Sequence, residues 1–500
     1  NSGEQPTPFS PSGTNIEPEN YILNLHGFIG YFDSLKNSQY KLDITASSTF
    51  VRSSALQDIS SLTSDDGSKT TTSYFAPRYF DITDNPMMYG RLEIEEFQVE
   101  DIKIVLSVYS PNKIHSAKKI KETMFKMMQA QKMYLGEINS TPRYDIFLYL
   151  GESNETSPKG YGALEHHTST VVVMPEEISE EALAEQMTNI VSHEFFHIVT
   201  PLSVHSEDVH YFDYNNPSFS KHLWMYEGVT EYFSNLFQID QGLIPEDKFY
   251  AEIQEKILNA SNLDDSMSFT LMSENILEKP YADNYLNVYQ KGALIGMCID
   301  ILIREESNGN RGILSLMKEL SLKYGVNKPF EDDKLLEEIT NMTYPSVKEF
   351  FDEYVVGTTP IDYNMFFKKV GLEISEGDVE TSYIQNVGEL IIGVNQQYGN
   401  VFFNDLVTEN SFWNENGAQP RDIFKYINGT EVTLENINEV FGQVFEWQPG
   451  EEIEVKLQRN GEEVIIKTTL TQSYTKGEKL TPNLNATSNQ VKLRKAWLKG

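Results

Sequence analysis

The chain is 500 residues long, with 39% hydrophobic and 23% charged residues, enough for three domains with sizeable cores. Its 74 acids against 40 Lys and Arg leave a formal net charge of −34, a surface that repels phosphate backbones and argues against nucleic-acid binding. With Cys298 as the one cysteine no intrachain disulfide can form, and no apolar stretch approaches the roughly 20 residues of a membrane-spanning helix.

Residues 1–20 form a polar run with Pro6, Pro8, Pro11 and Pro18 beside Gly3 and Gly13, the composition of a flexible tether. The chain opens at Asn1 rather than Met, and the expectation is an exported bacterial protein, periplasmic or on the cell surface, with a lipid anchor attached upstream of Asn1. Short alternating stretches at 41–45 and 101–106 predict a β-rich domain over 21–140, closing with a helix over 116–135. Asp84, Asn85 and Pro86 with Gly90 mark a turn inside it.

The apolar run 144–150 predicts a buried strand at the start of a second domain, 141–375, in which helices dominate from 179 to about 367. His166 and His167 read as surface polar residues. The β-branched run 169–174 reads as a strand, an edge on which an extended peptide can lie.

Next comes the sequence His193-Glu194-Phe195-Phe196-His197. Residues four apart share a helix face, so two imidazoles at this spacing can grip one zinc ion, with Glu194 placed as general base for the attacking water. Ser179 as N-cap, Glu180 and Glu181 in the first turn, and the stripe Leu183, Met187, Ile190, Val191, Ile198 supply the helix that the motif needs. A catalytic zinc usually takes three protein ligands. The segment 223–233 offers Glu227 as the third, on a helix capped by Ser220, ended by Gly242 and apolar along Leu223, Val229, Phe233, Leu236 and Phe237. Glu231, one turn on, would hold a ligating imidazole from behind. The competing reading of this segment is an ordinary amphipathic helix with its acids in water. His205, His210 and His222, between the two helices, are expected to be solvated.

A further helix over 286–304 begins near Tyr289-Gln290-Lys291-Gly292-Ala293, with Gly292 and Gly296 spaced for close helix approach and Cys298 in an apolar run. Asn428-Gly429 and Asn460-Gly461 are hairpin signals between alternating strands, so a small β module is expected over 380–472. The tail 473–500, with six basic residues and one acid from 476 onward, is expected to pack on the acidic body.

The ordered set of His-Glu-Phe-Phe-His, Leu-Trp-Met-Tyr-Glu-Gly-Val-Thr-Glu-Tyr and Tyr-Gln-Lys-Gly-Ala resembles the glycyl aminopeptidase family of zinc metallopeptidases, most densely over 160–371. These are gluzincins with an N-terminal β domain, a thermolysin-like, mostly helical catalytic domain and a C-terminal PDZ domain, a multidomain α+β architecture. The resemblance implies one Zn²⁺ per chain, peptide substrates and aminopeptidase action. It further implies that Glu165, in the loop with Gly162 and Ala163, receives the substrate's free α-amine, and that Tyr289 donates to the oxyanion. The C-terminal module would take an extended peptide or protein ligand by strand addition. The chain departs from the family pattern at Ile198-Val199-Thr200-Pro201-Leu202-Ser203-Val204-His205, so preference for N-terminal glycine or alanine does not carry over. The alternatives are a zinc endopeptidase, or a non-catalytic binding scaffold on a relict peptidase fold.

Overall fold

The computed structural model describes residues 11–136, 141–152, 160–445 and 447–500. The part of the expected tether before Pro11 lies outside the described residues. Two compact units emerge: one runs to Gly371 and takes back Thr487–Gly500, and the other is Leu372–Ala486.

The first unit opens with β structure, as its alternating sequence predicts. A four-stranded sheet orders Asn15–Ile16, Asn20–Leu23, Met87–Gly90 and Val51–Ser54, and a three-stranded one orders Tyr40–Ser47, Lys69–Ala76 and Gln57–Thr63. Leu23, Leu25, Leu56, Tyr74, Met87 and Tyr89 close a core between them. A five-stranded sheet follows, ordered Gly162–His166, Ser169–Pro175, Arg143–Gly151, Ile102–Tyr109, Glu93–Val99. Its middle strands run parallel, and Tyr144 to Leu150 are buried without alternation, because one face packs on helix Glu180–Phe196, where Tyr144 meets Phe195, and the other on the preceding β structure, where Phe147 and Tyr149 share a core with Ile22 and Met88.

Two expectations change here. Placing a boundary at 140 would cut this sheet, since Glu93–Val99 and Ile102–Tyr109 pair with the strand that follows it. Residues 162–166 are a strand rather than a loop, antiparallel to Ser169–Pro175 with Glu165 opposite Thr170. Among the described residues the edges of the sheet are therefore Gly162–His166 and Glu93–Val99, and Ser169–Pro175 lies inside.

Helices then dominate: Glu180–Phe196, Thr230–Asp240, Glu246–Ser261, Gln290–Glu306 and Ile313–Lys323 are the longest after the sheet. Among the described residues, no single helix is long and apolar enough to cross a membrane. Gln290–Glu306 is buried nearly all round, Cys298 included, which is why it lacks an amphipathic stripe.

The second unit holds an antiparallel sheet ordered Ile392–Asn395, Asn400–Phe403, Ile423–Ile427, Glu452–Arg459, Glu462–Thr469, around Phe403, Trp413, Phe424, Val455 and Leu457. Both Asn-Gly pairs adopt the positive φ that a two-residue hairpin turn demands, 48° and 84° at Asn428 and Gly429, 51° and 89° at Asn460 and Gly461. The stretch expected as a basic tail is not one element. Ser473–Pro482 is a strand paired along its whole length with Leu372–Thr381, so this unit extends past both 380 and 472. Ser488–Trp497 is a helix with a Thr487–Gln490 capping box that returns to the first unit. Burial and hydrogen bonds hold it there: Trp497 is fully buried, its ring 5.5 Å from Phe249 and its indole N–H donating to Tyr232 at 2.7 Å, and Arg304 donates to the Ala496 carbonyl at 2.9 Å.

Candidate active site

The helix Glu180–Phe196 starts as its sequence predicts, with Ser179 Oγ accepting from Ala182 N at 3.1 Å. It ends one residue short of His197, which caps it in αR geometry. His193 and His197 therefore still sit one turn apart, ring centroids 4.9 Å from each other, at the buried carboxyl end of a packed helix.

Glu227 arrives on a π turn, Trp224–Val229, which widens the helix before Thr230–Asp240 resumes α geometry and carries Glu231. Close approach is secured by glycine. A Cβ on Gly228 would lie 2.4 Å from the Gly292 carbonyl carbon, so the element bearing Glu227 touches the helix after Tyr289 backbone to backbone.

One carboxylate faces both imidazoles: Glu227 Oε2 lies 3.3 Å from His193 Nε2 and 3.7 Å from His197 Nε2. Candidate ligand atoms of the three residues all lie within 4.8 Å of one another. The opposite ring nitrogens are engaged, His193 Nδ1 with Glu231 Oε2 at 2.7 Å and His197 Nδ1 with the Thr200 carbonyl at 3.1 Å. Imidazoles that donate through Nδ1 turn the lone pairs of Nε2 towards Glu227. Three acceptors facing one another are repulsive until a cation sits between them, so the donor set fits a divalent metal such as zinc.

Glu194 is buried beside this cluster, and its Oε2 has no hydrogen-bond partner among the described residues. Burial pushes its carboxyl well above the usual range. Glu165, on the edge strand, lies with Glu194 and His197 in a second group whose candidate ligand atoms are within 4.8 Å of one another, and burial raises its carboxyl too. Tyr289 stands at the junction of the turns Tyr281–Val288 and the helix Gln290–Glu306, its ring centroid 5.7 Å from that of His193. Burial first and the Glu227 charge second push its phenol up, so it stays a donor.

The fold thus gathers His193, Glu194, His197, Glu227, Glu231, Glu165 and Tyr289 around one point, with Gly162 and Ala163 preceding Glu165 on its strand. Two neighbours were missed. Thr200, whose carbonyl orients His197, carries no side-chain signal. Tyr285, whose hydroxyl is 3.2 Å from that of Tyr289, had one in its spacing of four residues. The solvated histidines need correcting. His205 and His222 are 5% and 2% exposed, because backbone carbonyls of Ser203 and Asp332 satisfy them inside the fold. His166 is likewise buried, and His167 bonds Asp84 at 3.0 Å.

Comparison with known proteins agrees with the sequence resemblance. The M61 glycyl aminopeptidase family matches residues 186–295, and the peptidase M61 N-terminal domain matches residues 5–91. No curated protein matches the chain by sequence. Among solved structures, an aminopeptidase N family protein from Idiomarina loihiensis has the same fold at 16% identity, with a TM-score of 0.64 over 97% of this chain and 83% of its own. An M1 zinc metallopeptidase from Deinococcus radiodurans aligns at 15% identity and a TM-score of 0.47, over 72% of this chain and 75% of its own. A two-domain M1 zinc metallopeptidase bound to L-tryptophan gives 15%, 0.48, 72% and 74% in the same measures. Two stretches of the chain, 186–295 and 5–91, are thus similar to the catalytic and N-terminal domains of M61 glycyl aminopeptidases.

Proposed function

We propose that this chain hydrolyses the N-terminal residue from peptides, with one Zn²⁺ held by His193, His197 and Glu227. The observation that carries the reading is the meeting of those donor atoms within 4.8 Å beside the buried Oε2 of Glu194, which has no hydrogen-bond partner among the described residues. When bound, zinc polarises the scissile carbonyl and acidifies water, so that attack can run near neutral pH. Glu194 takes the proton of the attacking water and passes it to the departing amine. Tyr289 donates its hydroxyl to the oxygen on which negative charge grows. Glu165 pairs with the substrate's ammonium, which limits cleavage to free N-termini, and the open edge of Gly162–His166 offers backbone groups to an extended peptide. The second unit is read as a PDZ-like module, supported by its small antiparallel sheet with the short edge strand Ile392–Asn395.

The test is threefold. Metal analysis of the purified chain should return one zinc per chain. Glu194→Gln should keep that zinc and lose nearly all turnover, and undiminished turnover would remove Glu194 from its role. A free-amine peptide should be cleaved and its N-acetylated twin spared, whereas equal cleavage would make the enzyme an endopeptidase. A chain that hydrolyses nothing in a peptide library yet captures a partner would be a binding scaffold.

A further inference from the structure

Behind His193 the site continues into a third layer that neither the motif nor the resemblance named. Glu231 presents Oε2 to His193 Nδ1 at 2.7 Å, and its other oxygen, Oε1, accepts from Lys256 Nζ. Lys256 comes from a separate element, the helix Glu246–Ser261. The pair lies inside the protein, with side chains 13% and 21% exposed. Lys248 on the same helix pairs with Glu185 at 45% and 56% exposure, as a surface lysine does.

Drawing an ammonium out of water is costly unless a charged partner answers it. A residue that only filled space there would serve better as leucine or methionine. What the charge adds is direction: with one oxygen held by Lys256, the Glu231 carboxylate can no longer rotate freely about its last bond, and its second oxygen faces the imidazole. That keeps the Nδ1 proton of His193 in place and the lone pair of Nε2 aimed at Glu227.

We infer that Lys256 is a positioning residue for the metal centre, acting through Glu231 to orient His193. The inference rests on the zinc reading above and adds a residue to it.

The experiment strips the chain of metal and titrates it with Zn²⁺ alone against a competing chromophoric chelator, so affinity is read without reference to turnover. The unmodified chain is measured first. If it takes up no zinc, the metal reading fails and the inference falls with it. Given that uptake, Lys256→Met should weaken zinc binding about 10- to 100-fold, the usual consequence of removing an outer partner. Lys256→Arg, which can supply the same bond, should stay within about threefold. Lys256→Leu, which likewise lacks a donor, replaces the methionine variant if that one does not fold, with the same expectation. In a Glu231→Ala background, removing Lys256 should change affinity less than about threefold, because the residue through which it acts is gone. Wild-type affinity in Lys256→Met, or an equal loss with and without Glu231, would overturn the inference.

Discussion

Substituting Gly228 tests how closely Glu227 and Tyr289, the proposed metal ligand and oxyanion donor, are bound together. A methyl group there would meet Gly292 C, O and Cα at 2.4, 2.5 and 2.6 Å, all backbone atoms that no rotamer change can move. Carbon contacts settle at about 3.5 Å or beyond, so the two elements must part by about 1 Å. Overpacking of this kind costs about 1–3 kcal/mol, with the upper end expected where only backbone can yield. The same shift moves Glu227, next to Gly228, away from Tyr289, three residues before Gly292, and a displacement near 1 Å can cost about a hundredfold in rate. Gly228→Ala should therefore lower kcat/KM about a hundredfold on a free-amine peptide and lower the melting temperature. Comparison variants fix the interpretation. A Cβ on Gly292 meets Gly228 Cα at 2.9 Å, and one on Gly296 meets Tyr232 Cβ at 3.4 Å, so the losses should fall in the order Gly228, Gly292, Gly296. Wild-type kcat/KM and melting in Gly228→Ala, or the reverse order, would refute the reasoning.

Three further outcomes are expected. Glu252 has a buried Oε2 without a partner among the described residues, and burial raises its carboxyl from 4.5 to about 7. Because the folded state holds this proton more tightly than the unfolded chain, stability is lost as pH rises from 4.5 through 7. The shift is worth about 3 kcal/mol at most, so Glu252→Gln should melt above wild type at pH 8 and level with it at pH 4 in a calorimetric series. Trp497→Ala should destabilise the first unit by about 3–5 kcal/mol, read as urea unfolding, since it empties a fully buried site and leaves Tyr232 without its donor. Glu165→Gln should raise KM for free-amine peptides at least tenfold while leaving zinc content at the wild-type level. An unchanged KM would release Glu165 from recognition of the amine.

Much of the site was legible because its signals are local. The spacing of His193 and His197 is a property of any helix, the cap at Ser179 and the stripe through Leu183, Met187 and Val191 demanded that helix, and the Asn-Gly pairs dictated their turns through backbone sterics alone. The placing of Glu227 opposite both imidazoles was readable for the same reason, an acid and a small residue on an otherwise bulky helix. The widening of that helix into a π turn at Glu227 carries no sequence period and was not legible.

What the tertiary structure decided are relations between distant segments, where periodicity has nothing to say. Strand pairing turned Gly162–His166 into an edge of the sheet beside Glu194 and His197, because only a partner strand can settle whether a short glycine-containing stretch is loop or sheet. Two glycines 64 positions apart in the sequence met through backbone contact, Lys256 closed on Glu231 from another helix, and Trp497 returned across the whole second unit to fill a hole beside Tyr232. Each is a matter of shape and charge complementarity between surfaces that exist only once the chain has folded.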